Sequence, residues 1–222
     1  MSEPIQYREG SVDFCGIKFA VDSRVLIPRF ETEFLVKKVI SWCSKKQSQQ
    51  VWRIADIGTG SGHIAVSLAI NLPLAKITAS DISPAAIGLA QENAKRQNVF
   101  DRIHFKVGHL LSPITDPADI IVANLPYIPS YRIPNLDSSV RDFEPHLALN
   151  GGEDGFGLYR QLLDQIGQMA SLPKLCIFEI DNDQGEIATQ EVRQRFPVLN
   201  PQILKDSSQL TRYVVLESWR SD

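Results

Sequence analysis

Cysteine is scarce in this chain of 222 residues: Cys15, Cys43 and Cys176 are widely spaced and form no CxxC pair. That excludes a disulfide framework and a cysteine-bound zinc site, and leaves free buried thiols. Histidine is sparse as well. His63, His104, His109 and His146 show neither HxxxH nor HExxH spacing, and no carboxylate cluster replaces one, so no metal is expected. No apolar run approaches the roughly 20 residues that span a bilayer, and the segment from Met1 to Gln6 lacks the basic flank and apolar stretch of a secretory signal. The expectation is a cytoplasmic protein without a membrane partner. A surplus of positive charge is also missing: 23 Lys and Arg face 26 Asp and Glu, a net charge of -3. That argues against broad contact with a phosphate backbone, so no direct nucleic-acid substrate is expected. What remains is the ordinary balance of a globular domain, 43% hydrophobic and 22% charged, long enough to bury a sizeable core.

The most informative stretch is Asp56-Ile57-Gly58-Thr59-Gly60-Ser61-Gly62, where an apolar strand ends and an apolar helix begins. Glycines at alternate positions let the backbone turn sharply and approach a bound molecule closely. The pattern is GxGxG, one residue shorter than the dinucleotide fingerprint, which weakens the case for a nicotinamide or flavin. Nineteen residues beyond Gly62, at the end of the next apolar run, stands Asp81, a carboxylate placed to accept hydrogen bonds from ribose hydroxyls. A third strand end carries Asn124-Leu125-Pro126-Tyr127.

Strand and helix patterns alternate along the chain. Residues 4–28 alternate polar and apolar around Cys15-Gly16 and read as a β-hairpin. A helix follows, with Leu35, Val36, Val39, Ile40 and Cys43 at helical spacing. Strands are expected at 51–57, 75–80, 103–107, 119–123, 175–180, 203–205 and 213–217, and helices at 63–71, after Ser83-Pro84, at 156–171 and at 185–195. The last two strands have no helix between them, so one should run antiparallel. This is a three-layer, Rossmann-like α/β sheet with ligands at the carboxyl ends of its strands, where all three motifs fall. The expected division is a linker and hairpin over 1–28 and a catalytic domain over 29–222. The Pro- and Gly-punctuated connection from Pro126 to Gly152 reads as a substrate loop.

The ordered trio DIGTGSG, SD and NLPY resembles motifs of class I S-adenosylmethionine-dependent methyltransferases. Further stretches resemble one family among them, the peptide chain release factor glutamine methyltransferases (HemK/PrmC): VLIPRFETE (Val25–Glu33), FEPHLALNGGEDGFGLYR (Phe143–Arg160) and DQGE (Asp183–Glu186). The resemblance implies S-adenosylmethionine as cofactor, S-adenosylhomocysteine as product, and a release factor as protein substrate. It implies cofactor contacts from Asp56, Gly58, Thr59, Gly60, Ser61, Gly62, Asp81, Leu110 and Asn124. Asn124, Leu125, Pro126 and Tyr127 would hold and methylate the acceptor glutamine, with Arg29 beside them. The chemistry suits such a turn. A carboxamide nitrogen is a poor nucleophile, but two carbonyl oxygens, one from the Asn124 side chain and one from the Leu125 backbone, can accept its N–H groups and aim it at a sulfonium methyl. No acid, base or metal is required.

Several positions depart from the family pattern. Leu125 and Phe30 stand where prolines are usual, and Leu125→Pro is expected to be tolerated. His109 and Leu110 stand where an acidic and often an aromatic residue face the adenine. The family's N-terminal helical domain has no counterpart here, which implies a short form or a catalytic fragment. NLPY is also worded as in ribosomal RNA adenine dimethyltransferases, so N6-adenine methylation of RNA or DNA is the alternative acceptor chemistry. An inactive S-adenosylmethionine-binding scaffold is the third reading.

Overall fold

The computed structural model describes residues 3–46 and 50–218. Met1 and Ser2, read above for a leader, and residues 219–222, the end of the expected catalytic domain, lie outside the described residues.

The chain begins with a short helix, α1 (Ile5–Glu9), which the alternation of residues 4–28 does not reveal. One turn of helix is marginal alone. Tyr7 holds it by inserting its ring and donating its hydroxyl to the Val25 carbonyl at 2.5 Å, and Gly10 closes it at φ 66°. The hairpin is confined to β1 (Ser11–Phe14) and β2 (Ile17–Ala20), joined by Cys15 at φ 50° and Gly16 at φ 72°. Two left-handed residues match the twist of the flanking strands. Phe14 and Phe19 of the hairpin share one apolar core with the helices that follow.

Next come α2 (Glu33–Lys45), β3 (Arg53–Ile57), α3 (His63–Asn71), β4 (Lys76–Asp81), α4 (Pro84–Arg96), β5 (Ile103–Val107) and β6 (Ile120–Ala123). The start of α4 is fixed by the Ser83 hydroxyl, which accepts the Ala86 N–H at 3.2 Å, with Pro84 in the first turn. The long connection after β6 holds two 3-10 turns, residues 130–135 and 146–148, around the short α5 (Ser138–Arg141). The chain closes with α6 (Gly157–Gly167), β7 (Leu175–Glu179), α7 (Gly185–Arg195), β8 (Gln202–Lys205) and β9 (Thr211–Glu217). α6 stops four residues before the expected Ser171.

The seven-stranded sheet runs β5-β4-β3-β6-β7-β9-β8, with β9 antiparallel to both neighbours. Successive residues of the buried strands serve opposite faces, as the pleat requires. Ile120, Val122, Leu175 and Ile177 meet α2 and α3, whereas Ile121, Ala123, Cys176 and Phe178 meet α6 and α7. No helix among the described residues is long and apolar enough to cross a membrane.

The arrangement has one consequence for ligands. From β3 the chain winds outward through β4 to β5, then returns to the other side of β3 as β6. Such a reversal leaves a crevice beyond the strand ends. Ile57 pairs with Ser80 on one side and Ala123 on the other, so the glycine loop, Asp81 and Asn124 emerge side by side.

Candidate active site

A cavity opens at this edge, lined by Gly58, Gly60, Asp81, Leu110, Asn124, Leu125 and Pro126, with Arg29 at its mouth. Asp56, Thr59, Ser61, Gly62 and Tyr127 do not line it. Asp56 is fully buried and acts on the loop from beneath: its Oδ2 accepts the Thr59 hydroxyl at 2.6 Å and the Ala65 N–H at 3.1 Å. Burial pushes its carboxyl up to about 7, against the pull of those two donors. Ser61 Oγ lies 3.0 Å from His63 Nδ1, and Gly62 packs against Ala90 of α4.

The donor side of the cavity is built around one carboxylate. Asp81 accepts the Gly60 N–H at 2.9 Å and the Ser83 N–H at 2.9 Å, one on each carboxylate oxygen. A carboxylate has about four lone-pair sites, so capacity remains for a further donor. Burial raises this carboxyl, while the N–H groups of Ser83, Gly60 and Ile82 lower it. Gly60 sits at φ 55°, and a Cβ there would meet nothing within 4 Å, so its backbone faces open space. Leu110 is a leucine at φ 51°, a conformation that costs energy for a side chain of that size. The Ser80 hydroxyl holds it through its carbonyl at 2.9 Å. The glycine backbone at Gly58 and Gly60, a carboxylate with lone-pair capacity left and the apolar Leu110 fit the ribose and base of S-adenosylmethionine. His63 also lines the cavity, and burial pushes its imidazole down to about 3, so it is neutral.

The acceptor side is assembled from distant segments. Asn124 donates its Nδ2 N–H to Thr32 Oγ1 at 3.0 Å, and the Thr32 hydroxyl donates to Glu179 Oε2 at 2.7 Å. Among the described residues no donor reaches Asn124 Oδ1 or the Leu125 carbonyl. The Leu125 N–H is taken by the Tyr159 hydroxyl at 3.0 Å, which in turn donates to the Glu179 carbonyl. The Tyr127 hydroxyl points at Glu179 Oε1, 3.4 Å away, rather than into the cavity. Gln184 donates to the Tyr127 carbonyl at 2.9 Å. A Cβ on Gly151 would come within 2.7 Å of the Pro126 carbonyl, so only glycine lets the two backbones approach. At the mouth, Arg29 Nη2 and Glu144 Oε1 lie 2.5 Å apart, and Glu144 Oε2 accepts the Ile27 N–H at 3.2 Å.

The stretches Val25–Glu33, Phe143–Arg160 and Asp183–Glu186 therefore meet residues 124–127 through Thr32, Tyr159 and Gln184. Thr32, Glu144, Tyr159 and Gln184 were inside those stretches, but their roles were not assigned from sequence. Glu179 was missed altogether. Its signal was a lone carboxylate ending the fully buried strand Leu175–Glu179. Among the described residues no group of three or more His, Cys, Asp or Glu side chains could hold a metal ion.

Residues 49–220 match the methyltransferase domain family. The release factor glutamine methyltransferase of Moorella thermoacetica is 42% identical over 91% of this chain and 71% of its own length. That of Streptococcus pneumoniae is 38% identical over 97% of this chain and 75% of its own. The chain belongs to the release factor glutamine methyltransferases. Among solved structures, the catalytic domain of human METTL16 in complex with an RNA hairpin superposes with a TM-score of 0.72 at 15% identity, covering 91% of this chain and 76% of that one. The METTL16 N-terminal domain in complex with SAH gives 0.67 at 14% identity, covering 97% of this chain and 79% of that one. These two likenesses concern the fold alone.

Proposed function

We propose that the chain transfers the methyl group of S-adenosylmethionine to the side-chain amide nitrogen of a glutamine in a peptide chain release factor. The observation that carries this is that two neighbouring residues of the cavity lining, Asn124 and Leu125, carry carbonyl oxygens, Asn124 Oδ1 and Leu125 O, that accept no hydrogen bond among the described residues. A primary amide presents two N–H groups in one plane, and two fixed acceptors complement them. Charge that develops on the nitrogen during transfer then meets two carbonyl dipoles already in place. When bound, S-adenosylmethionine supplies an electrophilic methyl group on a positively charged sulfur. The glycine loop and Asp81 hold it, and the loop is itself held by Asp56. Pro126 and Gly151 fix the backbone that carries the acceptor carbonyls.

The rim of the cavity favours a protein acceptor over a nucleic acid. An extruded base needs unpaired cations for the flanking phosphates. Of the cations that line the cavity, Arg24 lies 2.7 Å from Asp22 and Arg29 is on Glu144, and in the connection after β6 Arg132 lies 2.7 Å from Asp181 and Arg141 2.7 Å from Asp142. Leu147, which lines the cavity, is exposed, as is Phe30 beside Arg29 in the chain, apolar surface suited to a polypeptide. The test is transfer of labelled methyl from S-adenosylmethionine to purified release factor, beside ribosomal RNA and DNA. Label in the release factor alone is expected. Label in nucleic acid would support the adenine reading, and binding without transfer to any acceptor would support the scaffold reading.

A further inference from the structure

Glu179 is 1% exposed, forms no salt bridge within 4 Å among the described residues, and is not among the residues that line the cavity. Burying a carboxylate is costly unless hydrogen bonds compensate it, and here the Thr32 and Tyr127 hydroxyls supply them. Its Oε2 accepts the Thr32 hydroxyl, and Thr32 Oγ1 accepts the Asn124 Nδ2 N–H. The direction of this line is set by proton count. A hydroxyl has one proton to give. When Thr32 gives it to the carboxylate, only lone pairs remain for Asn124, so Asn124 must present its NH2 group to Thr32 and its Oδ1 to the cavity. We propose that Thr32 and Glu179 are positioning residues that fix which end of the Asn124 carboxamide faces the acceptor. This rests on the reading that Asn124 Oδ1 accepts the acceptor N–H.

The alternative orientation is chemically available, which is why a device to exclude it matters. If Glu179 were protonated it could donate to Thr32, Thr32 could donate to Asn124 Oδ1, and the carboxamide would turn its NH2 group to the cavity. Two NH2 groups would then face each other and the acceptor would not be held. The groups around Glu179 are Thr32 and Glu31 ahead of α2, the Tyr127 hydroxyl after β6, the Tyr159 hydroxyl on α6, and Arg212 and Tyr213 on β9. Burial pushes the Glu179 carboxyl up to about 7, with Glu31 adding to the rise and Thr32, Arg212 and Tyr127 opposing it. Ionised Glu179 sets the productive orientation, so turnover is present above this range and lost as pH falls through it.

The test combines kinetics with the side-chain amide signal of Asn124 in the 15N-labelled full chain. Thr32→Val should lower kcat by roughly 10- to 100-fold, the scale of misplacing one preorganised group. Affinity for S-adenosylmethionine should stay within about twofold in that variant, because the relay touches only the acceptor side. Thr32→Ser, which keeps the hydroxyl, should restore turnover. Glu179→Gln should abolish the fall in kcat between pH 8 and 6. In the wild type one Nδ2 proton of Asn124 should exchange slowly, and this protection should vanish in Thr32→Val and persist in Thr32→Ser. Wild-type kcat in Thr32→Val, or an Asn124 amide that exchanges equally fast in all three proteins, would overturn the proposal. Should Thr32→Val not fold, loss of the acid limb in Glu179→Gln decides instead: an unchanged limb overturns the proposal. A protected, Thr32-dependent Asn124 amide together with methyl transfer to some other acceptor would leave the relay standing and remove the glutamine reading.

Discussion

On the donor side of the cavity nearly every contact is local or lies between adjacent strands. Asp56 reaches Thr59 and Ala65, and Asp81 reaches Ser83 on its own loop and Gly60 across one strand pair. On the acceptor side the contacts reach further along the chain, 34 residues from Leu125 to Tyr159, 57 from Tyr127 to Gln184, 115 from Arg29 to Glu144 and 147 from Thr32 to Glu179. The donor side can therefore form wherever a strand, a glycine loop and a helix are correctly made. The acceptor side exists only once the complete sheet and the long connection after β6 are in place. Binding of the methyl donor and turnover should be separable by mutation, and the separation can be sharpened or broken in four ways.

The largest effect is expected at Asn124. Asn124→Ala should reduce kcat by about 10²- to 10³-fold, the scale of removing one preorganised hydrogen-bonding group from a transition state. Calorimetric affinity for S-adenosylmethionine should be nearly unchanged. Asp81→Ala should do the opposite, weakening that affinity by about 1 to 3 kcal/mol while kcat at saturating donor is retained. An unchanged affinity would move the ribose elsewhere. Leu125→Pro comes third. Tolerance was the expectation from sequence, but the Leu125 N–H donates to the Tyr159 hydroxyl, and proline has no N–H. A loss of about 1 kcal/mol of stability is expected for one unmade hydrogen bond, read as a lower midpoint in urea.

The smallest effect is a pH dependence beneath the donor loop. The Asp56 carboxyl is pushed up from its ordinary value of 3.8 to about 7 by burial. The native state then holds a proton that the unfolded state releases, so this group's contribution to stability is full below its ordinary value and lost as pH rises to about 7. Asp56→Asn removes that loss. Its melting temperature relative to wild type should rise between pH 4 and 7 and level off above. A constant difference across this range would mean that Asp56 is ionised throughout.

The same contrast explains what the sequence disclosed. Strand-loop-helix signals placed α3 at His63–Asn71, β5 at Ile103–Val107 and α7 at Gly185–Arg195, because each boundary is marked by local residues such as Gly62 or Gly185. The helix α1 was hidden because its reason for existing is the Tyr7 contact with Val25, not its own five residues. Asp56 and Thr59 were legible as part of a ligand loop but not as its buried support, since periodicity does not tell which face of a loop a short side chain takes. The acceptor side was legible only through family resemblance. Nothing local in Thr32 or Glu179 says that they meet at Asn124.

The central claim is that the paired carbonyls of Asn124 and Leu125 select a glutamine side chain. The most direct measurement is tandem mass spectrometry of a release factor after reaction with the chain and S-adenosylmethionine. One added methyl group on the side-chain nitrogen of a single glutamine is the expected result, absent with Asn124→Ala. A methyl group on any other residue of the release factor, or recovered only on adenine when RNA is present, would contradict it.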